Sequence, residues 1–474
     1  MKLKLLESPS IIEHPDGHRV AAIFPSRPFW LVGGTNLPKA ISELEKTDWA
    51  FINQKLEPSK PEIGESYKQL AKLLKEAGVL IADEVNAVNQ QPLDLEPNVQ
   101  LHDVEIILII SLTEGCNLAC PHCYANAGTR RKDEMTTEQV FDVIQQVTEL
   151  PWAAEVSSIG LIGGEPLLRR DILKITDRIY ELGYEIVLST NAVLLQNEHI
   201  EHFRKYGEKI KISISLDGAS STYHDLIRGA GNFDRTVSAI KKLIATNIPT
   251  GINSFIHQGN FENLGEIFAL AENLGVRSLN LNTLMYVGRG LEEQLKPVSR
   301  SSLYRRIFEL ASLNPKYLKL IEKSNFANKV IAVAGGFKSK YCGIGSNRAL
   351  YVRSDGTLYP CGDTCISEFQ LADLKEERLA EVWNNSKKLK ELRTLNIDTM
   401  NQNCAICDVR YYCAGDCRGE NYQHTKDFTA PHFKCKEIRE SILEIIWMLS
   451  ECPNFLRDRT DEVVQKARNV SFQE

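Results

Sequence analysis

At 474 residues the chain exceeds what one hydrophobic core usually serves, which implies two to four domains. Its 43% hydrophobic and 25% charged residues are ordinary for a soluble globular protein, and a net charge of -6 gives no electrostatic footprint for nucleic acid. No run of about 18 apolar residues is present, which excludes a transmembrane helix, and the apolar part of Met1–Glu7 is too short for a signal peptide. The expected compartment is therefore the cytoplasm. Twelve cysteines in such a chain favour metal or redox roles over a disulfide framework. None precedes Cys116, and eight fall between Cys342 and Cys435.

In chain order, Ser10–His14 and His18–Phe24 read as strands flanking Pro15-Asp16-Gly17, whose Asp-Gly pair suits a tight hairpin turn. Phe29–Val32 is a third short strand. Asn36 stands where it can cap a helix with Pro38 in its first turn, and Thr47 opens a second helix through Leu56. Glu65–Ala77 places Tyr67, Leu70, Leu73 and Leu74 on one face before Gly78 ends it, and Val79–Ile81 reads as a returning strand. Three strands followed by three short helices resemble a winged-helix RiPP recognition element (PqqD-like), related to the small peptide chaperone of pyrroloquinoline quinone synthesis. The resemblance lies in the order of elements: the Asp-Gly often found between the first two helices is replaced by Glu45-Lys46-Thr47-Asp48. It implies that residues 1–82 hold the leader of a ribosomally made precursor peptide as an added strand. A small capping domain without a ligand is the alternative. Residues 83–100 form a polar linker without apolar periodicity.

Val104–Ile110 is an apolar, β-branched run that reads as a strand buried on both faces. Cys116-Asn117-Leu118-Ala119-Cys120-Pro121-His122-Cys123 follows in the loop at its C-terminal end. Three thiols so close suit one soft metal centre, whether an iron-sulfur cluster, zinc or Cu(I). A structural zinc wants four ligands, no fourth cysteine lies nearby, and His122 is poorly placed between two ligating cysteines. The site therefore reads as a cluster with one iron left open. The spacing Cys-x3-Cys-x2-Cys resembles the signature of the radical SAM superfamily. In that family the three cysteines hold a 4Fe-4S cluster while S-adenosylmethionine chelates the fourth iron.

Thr136-Thr137-Glu138-Gln139 is a capping box for a helix through Leu150. Strands follow at Ser158–Ile162, Glu185–Thr190, Lys211–Leu216, Thr250–Ile256 and Ser278–Asn282, separated by helices at 169–182, about 233–246 and 261–274. Six βα units imply an α/β fold with a parallel sheet whose chemistry lies at the strands' C-terminal ends. Six is too few for a closed eight-fold barrel and matches the partial (β/α)6 TIM-like barrel of radical SAM enzymes. Gly163-Gly164-Glu165-Pro166 follows the second strand: the glycines let backbone approach a ligand, and Glu165 can accept from an ammonium. It resembles the family's GGEP motif, which holds the methionyl amino group. By the same resemblance Ser189 and Asn191 after the third strand, and Ser213 and Ser215 on one face of the fourth, contact the ribose and methionyl parts. Arg228 reads either as the partner of the cosubstrate's carboxylate or as half of a surface salt bridge.

Downstream, Ala349–Val352 and the Ser354-Asp355-Gly356 turn suggest a hairpin between Cys342 and Cys361. Cys365 follows, then Cys404, Cys407, Cys413, Cys417 and Cys435. Closed zinc sites are the simpler reading of so many thiols. The full spacing resembles the SPASM motif, which carries two auxiliary 4Fe-4S clusters. Its interleaved wiring implies that Cys404, Cys407, Cys413 and Cys435 hold the outer cluster, and Cys342, Cys361 and Cys417 the inner one. Cys365 completes the inner set, or its fourth iron is open to substrate. Cys452, past an apolar helix at Ile438–Leu449, reads as a buried thiol.

The resemblance implies a radical SAM core at 101–330, a SPASM domain at 340–440 and a C-terminal helix and tail at 441–474. It implies an oxidoreductase that reductively cleaves S-adenosylmethionine to a 5′-deoxyadenosyl radical, fed by a partner such as flavodoxin or ferredoxin. With a leader-binding module in front, the expected activity is precursor-peptide modification, a thioether or carbon-carbon crosslink first. Formylglycine formation of the anaerobic sulfatase-maturase type and tetrapyrrole side-chain oxidation are the alternatives that would make that module unnecessary. A peptide-binding scaffold with structural clusters is the non-enzyme alternative. No residue stands out as a catalytic base. Asp217, beside the site, reads equally as a loop cap.

Overall fold

The computed structural model describes residues 3–46, 61–82, 106–150, 156–292, 295–342 and 349–462. The helix expected from Thr47 to Leu56, the linker at 83–100 and the first two residues of the strand expected at Val104–Ile110 lie outside the described residues.

Near the N-terminus, β1 (Leu3–Leu5) is followed by β2 (Ser10–Glu13), β3 (Arg19–Phe24) and β4 (Phe29–Gly34), which make an antiparallel sheet in the order β2-β3-β4. Helices Leu37–Glu45 and Pro61–Glu76 follow, and β5 (Leu80–Ala82) pairs antiparallel with β1. Three residues of β1 carry no local signal, because what stabilises them is a partner far along the chain. Asn36 occupies the N-cap position as expected, but its side chain makes no capping bond; the start is set by Pro38 in the first turn.

β3 is apolar on both faces, and the fold shows why. Ala22 and Phe24 join Leu3, Ile41, Leu44 and Leu74 in the module's own core, whereas Ala21 and Ile23 belong to the main core of the chain. β4 lies against the long helix Cys435–Glu451. Trp30 Nε1 donates to the carbonyl of Val333 at 3.1 Å, and Arg19 pairs with Glu451 at 3.0 Å while its guanidinium sits 5.9 Å from the Trp447 ring. The N-terminal module is thus docked through a second apolar face.

Among the described residues the main sheet has nine strands. Six are parallel and adjacent in chain order: β6 (Ile106–Ser111), β7 (Val156–Ile162), β8 (Glu185–Thr190), β9 (Ile210–Ser215), β10 (Thr250–Phe255) and β11 (Ser278–Asn282). This is the open partial barrel that the βα count implies. The capping box of Thr136 and Gln139 opens helix Thr137–Gln146, which tightens into a 3-10 turn at Val147–Glu149. The helix expected at 169–182 begins later, at Ile172, because Arg169 turns inward to donate to the carbonyls of Leu112 and Met135. In β8 and β9 the buried residues Ile186, Leu188, Ile210, Ile212 and Ile214 alternate with half-buried Ser189, Ser213 and Ser215. One face of the sheet is therefore core and the other polar.

The hairpin expected between Cys342 and Cys361 is present as β12 (Ala349–Val352) and β13 (Thr357–Tyr359), and it does more than link two thiols. β12 adds in parallel to β6, with Leu350 opposite Leu108 and Val352 opposite Ile110, and β14 (Ala372–Asp373) pairs with β13. The cysteine-rich segment thereby covers what would be an open edge of the core sheet. The C-terminal helix runs Cys435–Glu451, starting three residues before the expected Ile438. No helix among the described residues is long and apolar enough to cross a membrane.

Trp30→Ala removes both the indole packing and the bond to Val333. It is expected to lower stability by about 2 kcal/mol, less than a fully buried tryptophan because Trp30 is half-buried. Urea denaturation measures the loss, and hydrogen exchange should rise in β4 and in helix Cys435–Glu451 together.

Candidate functional site

The loop after β6 is closed on itself. Cys116 N donates to Gly128 O and Gly128 N to Glu114 O, both at 2.9 Å. Cys120 is buried, Cys116 and Cys123 are half-buried, and none is in a disulfide. Burial pushes the Cys116 and Cys120 thiols up, and Cys116 also feels the negative charge of Glu165 and of its two fellow thiols. Three thiolates in this space need a cationic group among them, since metal binding displaces the protons. Among the described residues no group of three or more His, Cys, Asp or Glu is arranged for a single metal ion. Three soft sulfurs on one closed loop, with Arg228 3.9 Å from Cys120 Sγ, fit an iron-sulfur cluster.

The glycines after β7 let two stretches of backbone come close together. A Cβ on Gly163, whose φ is +140°, would lie 2.4 Å from Thr113 O, and one on Gly164 would lie 2.1 Å from Gly115 O. Gly164 N donates to Thr113 O at 2.7 Å and Glu165 N to Gly115 O at 2.9 Å. What approaches closely is the backbone of the cysteine loop itself. Glu165 is fully buried and accepts from Thr190 Oγ1 at 2.6 Å, Asn191 N at 2.8 Å and Leu167 N at 3.1 Å. Burial pushes its carboxyl up, against those three donors. A carboxylate has about four lone-pair sites, so roughly one is left for an ammonium.

Asn191 is buried and bonds Asn117 of the cysteine loop at 2.9 Å. Ser189, Ser213 and Ser215 share the polar face of the sheet, and Ser213 Oγ accepts from Asn253 at 2.9 Å. Arg228 is no surface salt bridge. Its Nε meets Asp217 Oδ2 at 2.6 Å, with Asp217 fully buried and Arg228 half-buried, and its terminal nitrogens turn to Cys120 and to His122 Nε2 at 3.3 Å. Asp217 Oδ1 accepts from Phe255 N at 2.8 Å. Asp217 is thus engaged in holding Arg228, not free as a base. Burial would raise its carboxyl, yet Arg228 and His122 hold it below the ordinary range. His122 stacks on Phe255 at 4.4 Å, and burial lowers its imidazole to about 4, so it stays neutral.

The later thiols fall into two neighbourhoods. Cys407 feels Cys435, Cys413 feels Cys407, and Cys435 feels Cys404. Cys361 feels Cys342, and Cys417 feels Cys361. Cys365 packs in the same apolar cluster as Cys342 and Cys361 and feels the charge of Arg353, and Cys452 lies half-buried against the main core. A cavity of about 740 Å³ is lined by His122, Tyr124 and Arg228 and also by Cys342, Cys361 and Cys417.

Sequence reasoning missed Arg289, which donates to the carbonyls of Cys120 at 2.8 Å and Ala127 at 2.7 Å. It also missed Gly288, where a Cβ would lie 2.6 Å from Cys123 O. The only available sign was Gly288-Arg289-Gly290 after the sixth strand, since a bond to a backbone carbonyl leaves no pattern. The asparagines at β10 and β11 were missed likewise: Asn280 Nδ2 donates to Asn253 at 2.9 Å, continuing the polar face.

Asp217→Ala is expected to cost about 3–5 kcal/mol, because Arg228 is left buried without its counter-charge. Asp217→Ala with Arg228→Leu should cost less than Asp217→Ala alone, read by denaturation as a double-mutant cycle. Because the folded carboxyl lies below its ordinary value, the pair's contribution is complete above about pH 4 and is lost as pH falls through that lowered value.

The family model described as the radical SAM superfamily matches residues 110–274, and that of the SPASM iron-sulfur cluster-binding domain matches residues 342–408. The AdoMet-dependent heme synthase of Methanosarcina barkeri is 30% identical over 337 residues, 67% of this chain and 92% of the relative. Mycofactocin maturase MftC of Mycolicibacterium smegmatis is 27% identical over 71% of this chain and 83% of the relative. Streptococcus suis SuiB, solved bound to the precursor peptide SuiA, shares the fold at a TM-score of 0.56 and 15% identity, over 91% of this chain and 98% of that one. The chain therefore belongs to the radical SAM superfamily and is an enzyme of 4Fe-4S clusters and S-adenosylmethionine, with a SPASM domain behind its partial barrel.

Proposed function

We propose that this enzyme modifies a ribosomally made precursor peptide, installing a thioether or carbon-carbon crosslink in its core region while residues 1–82 hold the leader. The observation that supports this reading most is the cavity of about 740 Å³ lined by His122 and Arg228 and by Cys342, Cys361 and Cys417, in a chain whose N-terminal sheet is docked on the same body. Among the described residues β2 and β4 are the outer strands of that sheet, so each offers backbone groups to an added strand. The peptide-maturase relative and the peptide-bound structural neighbour point the same way.

In this reading Cys116, Cys120 and Cys123 hold the site cluster. Cys404, Cys407, Cys413 and Cys435 hold the outer auxiliary cluster, and Cys342, Cys361 and Cys417 the inner one. When bound, the site cluster and S-adenosylmethionine supply reductive radical chemistry that removes hydrogen from an unactivated carbon. The chain's own residues position and shield. Gly163, Gly164 and Pro166 set the loop that presents Glu165 to the cosubstrate's ammonium. Ser189, Asn191, Ser213 and Ser215 offer hydroxyl and amide groups to the ribose and methionyl parts, and Arg228, fixed by Asp217, offers its positive charge to the carboxylate. The stacked His122 and Phe255 rings close one wall against water. The proposed spans are 1–82 for leader binding, 101–330 for the core and 340–440 for the auxiliary clusters. The proposed setting is the cytoplasm, with flavodoxin or ferredoxin as electron donor.

A second reading, tetrapyrrole side-chain oxidation, is favoured by the 30% identity to a heme synthase. That match covers 67% of the chain and gives residues 1–82 no task that oxidation of a tetrapyrrole would need.

The test is full-length protein, reconstituted anaerobically and reduced, with short peptides encoded beside its gene or with a tetrapyrrole. A peptide should raise 5′-deoxyadenosine release and lose two hydrogens by mass spectrometry. Turnover of the tetrapyrrole with no peptide binding would remove the first reading. Cys120→Ala should abolish 5′-deoxyadenosine formation with either substrate.

A further inference from the structure

Arg418 is the largest fully buried side chain among the described residues, with 1% of its surface exposed. Only one end of its guanidinium is bonded. Nη1 donates to the carbonyls of Ala430 at 2.8 Å and Phe428 at 3.3 Å and lies 3.2 Å from Met400 Sδ, whereas Nε and Nη2 are buried with no partner. The carboxylates of the region are engaged elsewhere. Asp416 pairs with Arg300 at 2.6 Å, Asp363 accepts from Cys417 Sγ at 3.2 Å, Glu420 accepts from Tyr286 N at 3.0 Å, and exposed Asp427 accepts from Thr429 N at 2.8 Å. No ion pair among the described residues reaches Arg418. A cation sealed off in this way is strongly unfavourable unless negative charge lies beside it.

Beside it are the thiols proposed to hold the two auxiliary clusters. Cys417, of the inner set, precedes Arg418 in the chain and caps the helix Arg418–Thr425. The loop from Cys413 to Cys417 joins the outer set to the inner. At its middle a Cβ on Gly415, whose φ is +80°, would lie 3.4 Å from Arg418 Nε, so the unbonded edge of the guanidinium stands against that loop. At the bonded end, the segment Phe428–Ala430 also takes a bond from Asn401 at Thr429 O, 2.7 Å away, and the same Asn401 amide stands 3.2 Å from Cys404 Sγ. Cys435, further along, feels the charge of Arg418.

On the reading that Cys404, Cys407, Cys413 and Cys435 hold one cluster and Cys342, Cys361 and Cys417 the other, we infer that Arg418 is the buried counter-charge the two share, holding their reduction potentials up. Thiolate-ligated 4Fe-4S clusters are net anions and gain a further negative charge on reduction, so a fixed cation beside them favours the reduced form. The site cluster has its own cation in Arg228, 3.9 Å from Cys120 Sγ, and its potential does not depend on Arg418.

The experiment uses the full-length protein, reconstituted anaerobically with iron and sulfide and free of substrate, and reads iron content and cluster potentials by EPR-monitored redox titration. Wild type should hold about twelve irons, four for each of three clusters. About eight or about four would instead refute the reading of two auxiliary clusters on which this inference rests. Arg418→Gln should shift the one-electron equilibrium of the auxiliary clusters at least about tenfold toward the oxidised form, about 59 mV, and leave the site cluster unchanged. Arg418→Lys keeps the charge while losing the planar fork, and should stay within about threefold of wild type. Where Arg418→Gln loses the auxiliary irons outright, Arg418→Lys should keep them, and that difference carries the same conclusion. Unchanged auxiliary potentials in Arg418→Gln, or Arg418→Lys matching Arg418→Gln in potential or in iron loss, would show a brace for residues 428–430 in place of a counter-charge and overturn the inference.

Discussion

The backbone clasp between Thr113–Gly115 and Gly163–Glu165 is the constraint on which the rest of the site depends. Two bonds, Gly164 N to Thr113 O and Glu165 N to Gly115 O, tie the ends of adjacent parallel strands together beyond the sheet. Side chains at the glycines would occupy the space where the cysteine loop lies. Once closed, the clasp sets the depth of Glu165, and Glu165 in turn gathers Thr190 and Asn191 from the third strand. Three strand ends are thereby joined through one buried carboxylate before any ligand arrives. Such preorganisation matters for a reaction whose hard chemistry belongs to a cofactor, because the protein's share is position.

A second buried carboxylate does similar work one strand further on. Asp217 links Arg228 to the backbone of Phe255, and Arg228 reaches the thiol loop at Cys120 and His122. Arg289 holds the same loop from behind through two carbonyls. The thiols therefore sit in a loop braced from several strand ends, which suits a cluster that must keep its place while its charge changes.

The same economy of scaffold joins the flanking segments to the core. β12 continues the parallel sheet at the edge of β6, so the hairpin that leads to Cys361 stands on the frame that carries Cys116. β3 has one apolar face for its own helices and another for the main core, which joins the N-terminal sheet to the barrel as a packed body. Asn253, Phe255, Leu281 and Asn282 at the ends of β10 and β11 line the cavity together with Cys342, Cys361 and Cys417.

Much was legible from residues alone. The six parallel strands, the capping box at Thr136 and the thiol loop follow from β-branched runs, local hydrogen-bonding groups and short-range spacing, all of which are written within a few residues of one another. What tertiary structure decided are the partnerships across long stretches of chain. β1 exists because of β5, Trp30 meets Val333, Gly288 and Arg289 find the thiol loop, and Asp363 comes to Cys417 only because residue 419 is glycine. A motif records which chemistry a segment can offer, since that is a property of its own side chains. Which carboxylate stands beside which sulfur is settled by packing between distant segments, and no pattern within either segment encodes it.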